Sequence, residues 1–334
     1  MNVLLTSVGR RAYMVKYFKD ILKDGGKVFV CNSDSNSVAF HYADAYAVSP
    51  LIYDESYVPF LLSFCKENSI DMLIPLFDID LPVIAENKNR FAEIGTKAIV
   101  SDASFVKICN DKWKSYVFLG ANGFFVPKTF IDIEDAKKAL DTGEISYPLV
   151  VKPRFGCGSL SVFKADDEDD LFFFYNKVKK EIKKSYLKYE SASFDEIVII
   201  QEFVKGQEYG ADLINDLESN FVNAVIKKKI AMRSGETDIA ETVGNAVIRE
   251  TAECLARKTG HIANLDVDII LKDGIPYILE MNARFGGGYP FSHLAGCDLP
   301  YALTEWVKGN KVDPGILTAK TGVRGFKEID ITAF

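Results

Sequence analysis

The stretch Asp268-Ile-Ile-Leu-Lys-Asp-Gly-Ile-Pro-Tyr-Ile-Leu-Glu280-Met-Asn282-Ala-Arg284 decides the reading of this chain. Two apolar runs flank Lys272-Asp273-Gly274, a turn signal, so the segment predicts a β-hairpin. Side chains alternate along a strand, which sends Glu280, Asn282 and Arg284 to one face and Leu279, Met281 and Ala283 to the other. Asp268 falls on the partner strand, where it can lie across from Glu280. Two carboxylates, an amide oxygen and a guanidinium make a poor core but a good platform for a magnesium–phosphate group. Mg²⁺ takes hard oxygen ligands, and arginine's fork matches a phosphate. The competing reading is a solvated edge hairpin. Two phosphate-type elements upstream weigh against it.

Outward from the hairpin, bulk composition narrows the class. A chain of 334 residues with 48% hydrophobic and 26% charged residues is globular and suits two or three subdomains. The net charge of −7 argues against a nucleic-acid-binding surface, although a basic pocket inside an acidic protein remains open. No apolar stretch approaches a membrane span, and residues 1–8 read as a first strand rather than a leader, so the expectation is a cytoplasmic protein. The cysteines (31, 65, 109, 157, 254 and 297) form no CxxC pair and read as reduced, mostly buried thiols. Three histidines are too few for a His-built zinc site.

Residues 1–102 alternate strand and helix. Strands are predicted at Val3–Ser7, Lys27–Asn32, Asp71–Leu76 and Thr96–Ser101, with helices over 12–23, 55–67 and 82–93. That order gives a parallel, doubly wound sheet, which binds ligands at the carboxyl ends of its strands. Those ends carry Arg10 and Arg11, which could grip an anionic substrate or merely begin a helix. They also carry Asp78 and Asp80, which either face substrate or cap the helix starting near Leu81-Pro82. The first turn has one glycine where a dinucleotide fingerprint has three, so a nicotinamide cofactor is disfavoured. Residues 103–195 read as a smaller α/β lobe, 196–310 as the lobe carrying the hairpin, and 311–334 as a C-terminal segment.

Lys152 closes an apolar strand and is followed by Gly156-Cys-Gly158-Ser159. Glycines let backbone N–H groups approach phosphate oxygens, and the lysine adds a point charge. A plain hairpin turn is the alternative. The segment is not a GxxxxGK[ST] loop. Lys112, at a helix start, reads alone as a surface charge. The backbone of Gln201-Glu202-Phe203-Val204 can meet an adenine edge, and Glu208 is spaced to receive ribose hydroxyls.

Taken in order, these residues resemble the ATP-grasp superfamily over essentially the whole chain. The last motif is similar to the Glu-hydrophobic-Asn-x-Arg signature of carbamoyl phosphate synthetase large subunits and biotin carboxylases. The chain looks most like stand-alone ligases of the carbamoyl-phosphate-synthetase type, including the pyrrolysine-biosynthesis ligase type. The resemblance implies an α/β fold, with a Rossmann-like parallel-sheet domain followed by a two-lobed α+β ATP-grasp domain. It implies that Lys112 and Lys152 contact ATP phosphates under a lid formed by Gly156, Gly158 and Ser159. Residues Gln201, Glu202, Phe203 and Val204 would hold adenine and Glu208 the ribose. Asp268, Glu280 and Asn282 would hold Mg²⁺, with Mn²⁺ as a substitute and Asp266 as the alternative to Asp268. Arg284 would meet the transferring phosphoryl group, with Arg233 nearby. Phe285-Gly-Gly-Gly-Tyr-Pro-Phe-Ser-His293 departs from both named relatives and would shape the acceptor site, with His293 as base or packing residue.

The implied reaction is ATP-dependent ligation of a carboxylate to an amine, or to a thiol, through an acyl phosphate. Phosphoryl transfer rests on alignment and charge neutralisation, which a site of lysines, arginine and carboxylates supplies. The expected partners are a small carboxylate, plausibly amino-acid-like, and an amine. No nucleic acid or membrane is expected, and a homodimer is expected by analogy only. Phosphotransfer without ligation and ATP binding without turnover are the alternatives.

Overall fold

Short apolar runs bounded by turns build the first sheet. Strands β1 (Asn2–Thr6), β2 (Lys27–Asn32), β3 (Ala45–Val48), β4 (Met72–Pro75) and β5 (Lys97–Ala98) pair in the order β3-β2-β1-β4-β5. Every pairing is parallel, as the alternating strand–helix pattern requires. The computed structural model describes residues 1–156, 158, 160–190, 196–329 and 331–333. Strand β3 had no signal in the sequence because this edge strand is largely exposed and carries no buried apolar run. The helix expected over 82–93 is two helices, Asp80–Glu86 and Lys88–Glu93, broken at Asn87.

Asp80 corrects the sequence reading. The first of these helices has Ile79 as N-cap and no side-chain cap, so neither Asp78 nor Asp80 caps it. The Asp80 side chain is fully buried and accepts hydrogen bonds from Thr6 and Tyr57, whose side chains are buried with it. Burial pushes its carboxyl above the usual range, and the hydroxyl donors partly pull it back. It is an internal strut of the first sheet and does not face a substrate.

The second sheet consists of β6 (Thr129–Phe130), β7 (Leu149–Pro153), β8 (Phe163–Ala165) and β9 (Val198–Glu202), in the order β6-β9-β7-β8 and antiparallel throughout. Helix Glu168–Lys184 covers it. Acids in the helix's first turn and Lys183 and Lys184 in its last suit the helix dipole, and Leu171, Val178 and Ile182 pack on Leu149, Val151 and Ile200.

The third sheet holds β10 (Gln207–Asn215), β11 (Phe221–Arg233), β12 (Glu236–Thr242), β13 (Ala263–Lys272), β14 (Ile275–Asn282) and β15 (Arg324–Phe326), in the order β14-β13-β10-β11-β12-β15. All its pairings are antiparallel. Helix Ala246–Thr259, capped by Asn245 and stopped at left-handed Gly260, seals one face. Its Ile248, Ala252 and Leu255 meet Leu213, Leu265, Val267 and Met281. The other face of the sheet is polar. The first sheet shares a core with the segment after the hairpin, since Val3, Leu5 and Val30 belong to one apolar cluster with Phe285, Tyr289, Leu299 and Leu303. Among the described residues no helix is long and apolar enough to cross a membrane.

Asp80→Ala leaves two buried hydroxyls without their acceptor, so the variant should lose about 2–4 kcal/mol in urea unfolding. Its nucleotide affinity should stay at the wild-type value, and a marked fall in affinity without loss of stability would restore the substrate-facing reading.

Candidate active site

The hairpin register decides what faces the cleft. Asp268 pairs with Glu280 and Asp266 with Asn282 across β13 and β14. The register shifts between Asp268 and Ile269, which pairs with Ile278 and leaves Leu279 as an extra residue. Strict alternation had put Leu279 on the core side. The bulge instead lets Ile278 join Met281 and Ala283 in the core, while Leu279 lines the cleft beside Glu280.

Two connected compartments meet at Asp268 and Glu280, which line both. The first is bounded by Lys112, Lys152, Pro153, Phe155, Gly156 and Glu208, with Leu160, Val162 and Leu279 as its apolar surface. Cations at one end and aliphatic groups along the wall suit an ionised, flat ligand. Lys112 starts a helix whose N-cap Asp111 is gripped by Arg154, with Nε to Oδ1 at 2.7 Å and Nη2 to Oδ2 at 2.8 Å. Its ammonium donates to the Gly156 carbonyl and lies 3.5 Å from Glu280. Lys152 is buried and donates to Gln201 Oε1 at 2.8 Å, while Gln201 donates onward to Thr129 at 2.8 Å. Burial, then the like charge of Lys112, pulls the Lys152 ammonium down to about 8, against the opposing pull of Glu280 and Asp268.

Lys229 escaped the sequence reading. Its ammonium lies 2.7 Å from Asp268 and 2.7 Å from Glu208, tying the two carboxylates together. Burial alone would lower its pKa, but the two carboxylates outweigh that and leave it raised. The signal was present in Lys227-Lys228-Lys229. In a strand the outer two share a face, and here Lys228 is exposed while Lys227 and Lys229 line the cleft.

The second compartment has Arg11, Lys227, Glu236, Thr237, Asp266, Arg284, Gly287, Gly288 and Phe291 around it, with Gly158 of the glycine-rich segment at its mouth. Arg284 is nearly buried. Its Nε lies 3.1 Å from Asp78 Oδ1, its Nη2 donates to Asp78 Oδ2 at 3.1 Å, and its Nη1 donates to Asp266 at 2.9 Å. Burial pushes the Asp266 carboxyl up, Arg284 opposes this, and Asp268 and Asp212 add to the rise. Gly286 lies hard against Asp266, and a Cβ there would fall 2.1 Å from the carboxylate carbon.

Of the residues predicted from sequence, the cleft gathers Arg11, Lys112, Lys152, Gly156, Gly158, Glu208, Asp268, Glu280, Asn282 and Arg284. Ser159, like Cys157, lies outside the described residues. Gln201 touches the cleft only through Lys152, and Glu202 accepts from the Lys128 backbone. Val204 is buried and Phe203 lies partly exposed. Arg10 is exposed on the first turn. Arg233 is not placed among the cleft cations, because it pairs with Asp238 and donates to the Lys327 carbonyl at 3.2 Å. His293 stacks on Tyr17 with ring centroids 3.7 Å apart, and burial lowers its pKa. This is a packing position at the end of the Phe285–His293 segment, outside the lining of the two compartments.

Asp268, Glu280 and Asn282 line the same compartment, and their hard oxygens fit the donor chemistry of a magnesium ion that also takes oxygens of a bound phosphate. Among the described residues no cluster of three His, Cys, Asp or Glu side chains could hold a metal by itself.

Comparison with known proteins identifies the family and the fold. Residues 109–288 match the ATP-grasp domain and residues 3–99 the PylC-like, N-terminal domain. D-alanine–D-alanine ligase B of Clostridium perfringens is 28% identical over 243 residues, covering 66% of this chain and 75% of that protein. The carbamoyl phosphate synthase large chain of Campylobacter jejuni is 23% identical over 85% of this chain, but the match spans only 26% of that longer protein. Among solved structures, biotin carboxylase from Campylobacter jejuni superposes with a TM-score of 0.73 at 19% identity, covering 95% of this chain and 73% of that one. The chain belongs to the ATP-grasp family.

In a protein labelled with ¹³C-lysine, one resonance should titrate near pH 8 and vanish in Lys152→Met. The group is charged below that pH and neutral above it. A protein in which every lysine titrates above pH 10 would refute the burial argument.

Proposed function

We propose that this ATP-grasp protein is an ATP-dependent carboxylate–amine ligase that works through an acyl phosphate on a small, polar, amino-acid-like acid. The observation that carries the reading is the pairing of Asp268 with Glu280 at the junction of the two compartments. A nucleotide in the lysine-lined compartment would present its terminal phosphate at that junction. A carboxylate in the second compartment would approach it from the other side. The names of the matched relatives, a D-alanine–D-alanine ligase and a carbamoyl phosphate synthase, support ligation.

In this reading Lys112 and Lys152 neutralise phosphate oxygens, and the aliphatic wall of Leu160, Val162 and Leu279 receives the base. Glu208 and Lys229 flank the ribose and phosphates. Asp268, Glu280 and Asn282 would hold Mg²⁺, which lowers the charge barrier to nucleophilic approach; Mn²⁺ is the expected substitute. An oxygen of the substrate carboxylate attacks the γ-phosphorus, the bond to the bridging oxygen breaks, and ADP departs. The amine then attacks the acyl carbon, phosphate leaves with the C–O bonding pair, and the nitrogen gives up a proton. A thiol acceptor would follow the same course. Gly156 and Gly158, in left-handed backbone conformations, shape the segment that would exclude water from the labile acyl phosphate. Nucleotide affinity should weaken above pH 8 as Lys152 loses its proton. The twofold assembly expected by analogy belongs to the same proposal.

Incubation with Mg-ATP, hydroxylamine and a panel of small carboxylic and amino acids should release ADP and yield a hydroxamate with the cognate acid. Glu280→Gln should reduce this turnover by roughly 100-fold or more. ADP release accompanied by a stable phosphorylated product, with no hydroxamate from any acid, would point to phosphotransfer instead.

A further inference from the structure

Arg284 is the basic residue of the hairpin motif, yet one of its two carboxylate partners comes from a different domain. Asp78 stands just past the carboxyl end of β4 in the first sheet, 206 residues away in sequence. Its carboxylate spans the side-on edge of the guanidinium, with Oδ1 3.1 Å from Nε and Oδ2 accepting from Nη2 at 3.1 Å. Side-chain exposure is 7% for Arg284 and 8% for Asp78, so the pair is nearly cut off from water. Desolvating two charges is costly, and one hydrogen bond, Nη2 to Oδ2, together with the close Nε–Oδ1 ion pair offsets that cost and ties the guanidinium to the first domain. Nη2 is held by Asp78 and Nη1 by Asp266, and the side chain lines the second compartment. Because Arg284 lines the compartment, an oxyanion entering it meets the guanidinium while the Asp78 contact stays in place.

We infer that Asp78 is a positioning residue, through which the first domain aims the Arg284 guanidinium at the oxyanion undergoing reaction. The inference rests on the ligase reading and adds to it a role for the first domain in the chemical step. In this inference Asp78 acts through Arg284. It works by holding Nη2 while Nη1 stays on Asp266, so that the guanidinium is fixed between the two domains. The apolar core shared by the first sheet and Phe285, Tyr289 and Leu299 makes this aim stable, because it keeps β4 in place relative to the end of β14.

The test uses the full-length protein, with Mg-ADP and Mg-ADP plus aluminium fluoride as probes; the fluoride mimics the phosphoryl group in transfer. Asp78→Asn should bind Mg-ADP within about twofold of wild type, but bind the fluoride complex roughly 10- to 100-fold more weakly, the scale expected for a misaimed group. Asp78→Glu, which keeps the charge, should recover part of the loss. Unchanged fluoride binding in Asp78→Asn, with intact Mg-ADP binding, would overturn the inference. Should Asp78→Asn fail to fold, wild-type protein labelled with ¹⁵N-arginine decides the matter. The Arg284 Nε proton, identified by its loss in Arg284→Lys, should stay protected from exchange when the fluoride complex binds. Loss of protection would mean that Arg284 leaves Asp78 in the reacting state, and the inference fails. Wild-type protein that binds no Mg-ADP would instead sink the ligase reading, and this inference with it.

Discussion

Four carboxylates, Glu208, Asp266, Asp268 and Glu280, crowd one face of the six-stranded sheet, and the site depends on how their mutual repulsion is managed. Unit charges a few ångströms apart at a partly dry surface repel by several kcal/mol. The chain answers with cations placed between them. Lys229 bridges Glu208 and Asp268, Arg284 holds Asp266, and Lys112 lies 3.5 Å from Glu280. The face thus forms an alternating lattice of charge. A magnesium–phosphate group fits such a lattice, because the ion can take over the carboxylates while the phosphate takes over the lysines. The same protein groups would serve the resting and loaded states with partners exchanged.

This lattice was only partly legible in the sequence. The hairpin could be read because a turn signal and a period-2 pattern lie within seventeen consecutive residues, Asp268 to Arg284. The facing of Asp268 and Glu280 followed from counting along it. The bulge at Leu279 did not follow, since a shift of register depends on how two strands meet. Lys229 was hidden for a similar reason. Its partners come from β10 and β13, and a lysine triplet in isolation reads as solvated surface. Asp80 and His293 show the converse. Both carry chemistry-bearing side chains near suggestive motifs, and both are used in packing, by Thr6 and Tyr57 in one case and by Tyr17 in the other. Periodicity reports which faces are apolar; it is silent about an isolated polar group whose partners are non-local.

The fold-level expectations fared better because they rest on many residues at once. Four strands alternating with three helices predict a parallel sheet even though one edge strand, β3, gave no signal. The expected helix over 82–93 broke in two without moving the strands on either side. Helix Ala246–Thr259 was not predicted, although its Asn245 cap and terminal Gly260 are sequence signals. Its absence from the reading did no harm to the site, as it packs on the opposite face of the sheet.

Beneath the second compartment lies a network that bears on what the cleft accepts. The buried Asp212 carboxylate receives hydrogen bonds from Lys227, Ser292 and Asn264. Apolar residues of similar volume would give comparable stability at such a position, so stability alone is a weak reason for a buried ion pair. Lys227 also lines the cleft, and this suggests the better reason: Asp212 holds a cation at the floor, with Ser292 and Asn264 completing its hydrogen bonding. The glycine run keeps that floor open. A Cβ on Gly288 would lie 3.5 Å from the Lys227 ammonium, and one on Gly287 would lie 3.6 Å from the Glu236 carboxylate. Side chains at these positions would fill the space above both charges. The glycines therefore leave open the space beside an anchored cation, Lys227, and beside Glu236, which is itself paired with Lys327.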